Sequence, residues 1–234
     1  MHIVVPAEEQ SWRGKAVTRF GRIRAETRPE FGVPAFAVTG TPSDCVNLAI
    51  HHLLPEPPAL VISGINIGSN AGSGFVVNSG TVGAAIEAWL QGVPTAAFST
   101  YLHPELFREW NTERRLTQPD ALTVVETTTA RTADMVRTLL APDAVPLDGV
   151  LNVNFPGAVT PDMPVRWVPL QRSRYGSLFR RDGDGFVHSA QIGLSGDDRA
   201  DTDRAVIMAG AISATLLSLD NWSRDLPKAQ RPPL

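Results

Sequence analysis

An apolar run at Leu60-Val61-Ile62 passes into Ser63-Gly64-Ile65-Asn66-Ile67-Gly68-Ser69-Asn70-Ala71-Gly72, and a second small-residue block, Asn78-Ser79-Gly80-Thr81-Val82, follows. This order constrains the chain more than any other segment, because it reads as a buried strand feeding an amide-rich loop that opens a helix. The continuous apolar character of residues 60 to 62 is that of a strand covered on both faces. The glycines allow φ > 0 and close approach of the backbone to a ligand. Val82, Ala85, Ile86, Trp89 and Leu90 recur at helical spacing, which places Ser79 to Thr81 at a helix N-terminus. Free N–H groups and the positive end of the helix dipole there suit an anion such as phosphate.

Neither a dinucleotide G-x-G-x-x-G nor a Walker G-x-x-x-x-G-K-[ST] can be laid on residues 64 to 81, and no G-x-S-x-G nucleophile elbow occurs. What remains is a loop with two carboxamides, Asn66 and Asn70. Their oxygens can serve a hard cation, or their NH2 groups can hold a substrate oxygen.

The run Ser63-Gly64-Ile65-Asn66-x-Gly-x-Asn70 with Ser79-Gly80-Thr81-Val82 resembles the SurE survival-protein family. Further blocks lie in the family's order: Val4-Val5-Pro6 before Gln10-Ser11, Gly40-Thr41-Pro42-Ser43-Asp44-Cys45-Val46, and Leu151-Asn152-Val153-Asn154-Phe155-Pro156. Thr202-Asp203 and Ile212-Ser213-x-Thr215-x-Leu217 complete the series, so the resemblance spans roughly residues 1 to 220. It implies a metal-dependent nucleotidase that removes phosphate from nucleoside monophosphates. It also implies a doubly wound, Rossmann-like α/β fold with a mostly parallel sheet, a β-rich C-terminal part and a projecting hairpin.

The chain departs from the family at its start. Family members open with a strand bearing Asn-Asp-Asp-Gly, whose aspartates supply most of the charge on the metal, and no Asp-Asp-Gly occurs near Met1. Of the family's metal ligands only Ser11 and Asn66 carry over; Asn70, Ser79, Gly80 and Thr81 carry over as phosphate or substrate ligands, and no catalytic residue can be assigned. A divalent ion of the Mg2+ or Mn2+ class, one per subunit, is therefore expected to be weak or absent, since hard cations want carboxylate oxygens. Glu8 and Glu9, near Ser11, are read as solvent-facing rather than as substitutes. In the family the first strand lies mid-sheet, so its absence predicts two unpaired strand edges. A truncated or misassigned start and a rearranged sheet both stay open.

A net charge of -3 gives no broad basic field, so duplex nucleic acid is not an expected partner. No apolar run approaches the roughly 20 residues of a membrane span. A lone cysteine, Cys45, excludes an internal disulfide and reads as a packed thiol at the start of an apolar helix. The expected location is cytoplasmic, and the expected partner is a small nucleotide.

Along the chain, residues 2 to 5 and 31 to 39 read as strands, and Thr41 with Asp44 as a capping-box pair around Pro42 at a first helical position. A helix follows to Pro55, then the strand at 60 to 63, the helix at 82 to 91, a strand at 94 to 99, a helix at 119 to 140 with Leu122, Val125, Met135, Val136, Leu139 and Leu140 inward, and a last parallel strand at 150 to 155. This is the alternation of a parallel α/β sheet. The expected division is a 1–156 core, a 157–220 β-rich part and a 221–234 tail, loose around Pro227, Pro232 and Pro233. In the second part, Val165 to Leu170 reads as a strand, Asp182-Gly183-Asp184-Gly185 as a hairpin turn answered by Phe186 to Ile192, and 204 to 217 as a strand or bent pair. The hairpin, with Arg172, Arg174, Arg180 and Arg181, is either a solvated arm or, as the resemblance implies, a device for a homodimer or homotetramer.

Phosphate-ester hydrolysis needs neutralised oxygens, an activated water and a stabilised leaving group. Thr81 is read either as a helix cap or as a phosphate contact, and Trp12, where the family has small residues, either stacks a base or packs. Two functions from different classes stay open: a nucleotidase, and a SurE-like oligomeric binding or scaffold protein that has lost the metal-binding aspartates. A general phosphatase acting on polyphosphate or sugar phosphates is a third.

Overall fold

The computed structural model describes residues 1–189, 194–196 and 199–218. Strand β1 (Ile3–Pro6) runs parallel to β3 (Ala35–Val38), with Ile3 opposite Ala35, and β2 (Ala25–Thr27) pairs antiparallel on the far side of β3. Helix α1 (Pro42–Leu48) starts at the capping box read from the sequence: Thr41 Oγ1 accepts the Asp44 N–H at 3.1 Å, and the Asp44 carboxylate accepts the Thr41 N–H at 2.8 Å. Its end widens into a π-type turn over Ala49–Leu53 before Pro55.

Strand β4 (Val61–Ile67) is longer than expected, because the chain stays extended through Asn66 after a register irregularity between Ser63 and Asn66. Gly64 makes this possible: its φ is +117°, and a Cβ there would stand 2.2 Å from the Phe98 carbonyl oxygen. Two helices follow, the short α2 (Ser73–Asn78), unforeseen from sequence, and α3 (Gly80–Leu90). Strand β5 (Thr95–Thr100), helix α4 (Pro104–Glu113), helix α5 (Pro119–Leu139) and strand β6 (Val150–Phe155) complete the parallel unit. Beyond it come β7 (Val165–Trp167), β8 (Ser173–Tyr175), the hairpin β9 (Phe179–Asp182) and β10 (Gly185–His188), and β11 (Leu194–Gly196). Helix α6 (Asp203–Met208) and strand β12 (Ile212–Leu217) replace the strand or bent pair expected over 204 to 217.

The larger sheet has the order β4-β5-β6-β12-β7, and β1-β3-β2 forms a separate sheet. Strands β4, β5 and β6 are mutually parallel; β12 is antiparallel to β6 and parallel to β7. The boundary expected after residue 156 therefore falls within one sheet. Strands β5 and β6 are buried at every position, whereas β4, which ends its sheet, is only half-buried. One face, through Phe98, Val153 and Phe155, packs on Met135, Val136 and Leu139 of α5; the other, through Ala97 and Val150, packs on Val76 of α2 and Val82 and Ala85 of α3. Leu122 and Leu140, expected inward, are exposed instead, and Ala121, Val124, Thr128 and Thr132 line the buried stripe of α5. Residues 190–192 of the run expected to answer the hairpin turn, and the whole of the 221–234 tail, lie outside the described residues.

Candidate functional site

The candidate ligands lie in the last residues of a parallel strand (Asn66), after one (Ser11, Asn70) or at the start of α3 (Ser79, Gly80, Thr81), and the C-terminal ends of strands are where open α/β sheets bind ligands. Ser79 is the N-cap of α3, its Oγ accepting the Val82 N–H at 3.1 Å. Thr81 is thus not the cap but stands in the first turn, half-buried. The amides of Gly80 and Thr81 have no intrahelical acceptor and are the groups an anion would engage.

The irregular segment 7–24, which carries Ser11, is strapped across this helix. Gly14 N–H bonds to the Asn78 carbonyl at 2.9 Å, and the Gly14 carbonyl lies so close to α3 that a Cβ on Gly83 would stand 2.3 Å from its oxygen. The same segment passes Gly80, where a Cβ would lie 3.3 Å from the Gln10 carbonyl oxygen. Two carboxylates hold the strap. Glu87, 4% exposed, pairs with Lys15 and accepts Asn47 Nδ2 at 2.8 Å and Gln91 Nε2 at 3.0 Å. Burial pushes its pKa up, but the bonds from Lys15, Asn47 and Gln91 outweigh burial and leave it below the usual value. Asp44 accepts the Thr18 N–H at 3.0 Å besides its capping bond; burial again raises it, and Thr18 and Thr41 together bring it below its usual value.

Asn66 closes β4, with Nδ2 donating to the Gly68 carbonyl at 2.6 Å, and sits opposite Ser99 of β5. Asn70 is buried. Its Nδ2 donates to Ser99 Oγ at 2.7 Å, its N–H to Asn154 Oδ1 at 2.7 Å, and its carbonyl accepts Asn152 Nδ2 at 2.9 Å. The paired asparagines of the Leu151–Pro156 block thus fix the backbone of the loop, a role their spacing of two on one strand face made accessible from sequence. Asp203 ties down the next part of the loop: its carboxylate accepts the N–H groups of Gly72, Gln171 and Arg204, each at 2.8 Å. Burial raises its pKa despite those three donors.

Ser79, Gly80 and Thr81 thus open α3 beside Gln10 and Gly14, the segment between which carries the exposed Ser11, while Asn66 and Asn70 meet at Ser99. Metal-binding chemistry is thinner. Among the described residues no group of three or more His, Cys, Asp or Glu side chains converges. Ser11 and Asn66 are neutral donors, and Glu9 is turned to Arg114 at 3.4 Å. The donors present do not by themselves fit a divalent cation. Cys45 is buried, its thiol pushed up to about 12 by burial and by the neighbouring Asp44 charge, so it is a packing residue and not a nucleophile.

The sequence matches the family model for survival protein SurE over residues 1–177. The chain belongs to the SurE family. Relatives carrying the name 5'-nucleotidase SurE include proteins of Methanocella arvoryzae, 37% identical over 177 residues, and Methanosarcina barkeri, 34% identical over 228 residues. The first match covers 75% of this chain and 64% of the Methanocella protein, and the second 95% of this chain and 83% of the Methanosarcina protein. The chain thus spans less than two thirds of the Methanocella relative's length. The crystal structure of the SurE protein from Aquifex aeolicus superposes with a TM-score of 0.62 at 24% identity, covering 93% of this chain and 79% of that one, which supports a SurE fold. No helix among the described residues is long and apolar enough to cross a membrane.

Proposed function

We propose that this SurE-family chain is a phosphomonoesterase of the 5'-nucleotidase type, releasing phosphate from nucleoside monophosphates. The observation that carries the reading is the start of α3, where Ser79 caps the helix and the Gly80 and Thr81 amides open beside the strapped segment bearing Ser11. Oriented N–H donors in such a place stabilise the charge that builds on phosphoryl oxygens in the transition state. In this reading Asn70, its backbone fixed by Asn152 and Asn154, is a further ligand of the phosphoryl group.

The reading includes a divalent ion of the Mg2+ or Mn2+ class for which Ser11 and Asn66 are the donors this chain offers. Without a carboxylate among them, any such ion is held weakly. It also includes a cytoplasmic location and a homodimer or homotetramer. Supporting the oligomer, the β9–β10 hairpin presents Phe179 and Phe186, 57% and 67% exposed.

Among the described residues no group of acidic side chains converges, which favours a second reading, a SurE-like binding or scaffold protein that keeps the anion loop without catalysis. Phosphate release from nucleoside monophosphates with Mg2+ or Mn2+ separates the two, comparing the chain with Asn66→Asp, which adds the missing charge. Release by the unaltered chain, enhanced in the variant, supports the hydrolase. No release and no metal-dependent shift in thermal stability would leave the scaffold.

A further inference from the structure

Trp12 follows Ser11 directly, and its backbone is left-handed, with φ of 63°, an unusual conformation for a bulky residue. The half-buried indole sits in a group of rings. Phe75 of α2 lies 6.0 Å away and tilted by 52°, Tyr175 of β8 6.1 Å away and nearly perpendicular, and His188 of β10 5.5 Å away and tilted by 53°. Among the described residues no ring lies flat on the indole. Tyr175 is also held by a polar contact: Asn78 Nδ2 donates to its hydroxyl at 2.8 Å. Asn78 is the residue before the α3 cap, and its carbonyl is the one that anchors Gly14. One residue thus fixes the aromatic group and the anion-binding helix start to each other.

Resting on the phosphate reading above, we infer that Trp12, edged by Tyr175 and His188, is the shelf on which the base of the nucleotide stacks while its phosphate meets the start of α3. A planar heteroaromatic base offers a π face that an indole accepts regardless of base identity, and the exposed His188 ring adds a polar edge. The shelf makes the site one for base-bearing monoesters rather than for sugar phosphates.

The test uses the full chain and its Trp12→Ala, Trp12→Leu and Trp12→Phe variants, with binding of adenosine 5'-monophosphate, adenosine and ribose 5-phosphate measured by calorimetry. Folding of each variant is checked by circular dichroism. Trp12→Ala is expected to weaken both adenosine ligands about tenfold and to change ribose 5-phosphate less than twofold, with Trp12→Phe retaining most of the affinity. If Trp12→Ala does not fold, Trp12→Leu decides, since it keeps apolar bulk without a ring and is expected to weaken only the base-bearing ligands. Equal losses for all three ligands, no loss, or no adenosine binding by the unaltered chain overturns the inference. Trp12-dependent adenosine binding in a chain that releases no phosphate upholds the shelf and rejects the hydrolase.

Discussion

The carboxylate of Asp203 accepts the amide of Gly72 at 2.8 Å across a sequence separation of 131 residues. This bond joins the loop after β4 to the start of α6, and through Gln171 to the connection after β7. Asp203→Asn turns an amide donor toward one of three N–H groups that now share an acceptor. It is expected to cost about 1–3 kcal/mol in urea unfolding. A carboxyl whose folded pKa is raised contributes fully below its unfolded value, and that contribution is lost as pH rises through the folded value. The gap between the chain and this variant should therefore narrow from acid toward neutral pH.

Glu87 carries the opposite sign. Its folded pKa is lowered, so its contribution is present above the unfolded value of 4.5 and disappears as pH falls through the folded value. Glu87→Gln should destabilise the chain at neutral pH by about 1–3 kcal/mol, because Lys15 and Asn47 lose a charged acceptor. Toward acid the two unfolding curves should converge, which denaturant titrations at several pH values would check.

Gly83→Ala tests the strap. The new methyl meets the Gly14 carbonyl, a backbone group that cannot rotate away. A loss of about 1–3 kcal/mol is expected, with weaker binding of inorganic phosphate as the Ser11 segment lifts. Full phosphate affinity in a folded variant would show that the segment takes no part in the anion site.

Ser79 and Thr81 should separate in a thermal-shift assay. Inorganic phosphate is expected to raise the melting temperature of the chain. Ser79→Ala should lower stability by about 1 kcal/mol through the lost cap and also shrink the phosphate effect. Thr81→Ala should shrink the phosphate effect while leaving stability nearly unchanged, since its hydroxyl does not cap the helix.

Features written locally were legible in the sequence. The Thr41–Asp44 cap spans one helical turn, and the apolar runs of β5 and β6 need only period and length to be recognised. Helix α4 carried a signal that went unread, Pro104 at its first position with Leu106, Phe107 and Trp110 behind it. Helix α6 was hidden because Val206 and Ile207 blend with the apolar run of β12 and suggest a strand or bent pair. Whether Thr81 caps α3 stayed open in the sequence, as Ser79 and Thr81 are equally good cap residues and only backbone geometry chooses Ser79. The bonds of Asp203 and the rings around Trp12 had no local trace, because their partners lie far along the chain.

The two sheets share no ladder among the described residues; α1 against α3 and the straps to Asp44 and Glu87 connect them instead. Opening of the half bearing Ser11 from the half bearing Ser79 would break those packing contacts and bonds but no strand ladder. A nucleotide bridging them would oppose that opening, slowing amide exchange in β1 and β3 from a distance, so that ligand binding is felt in strands it never touches.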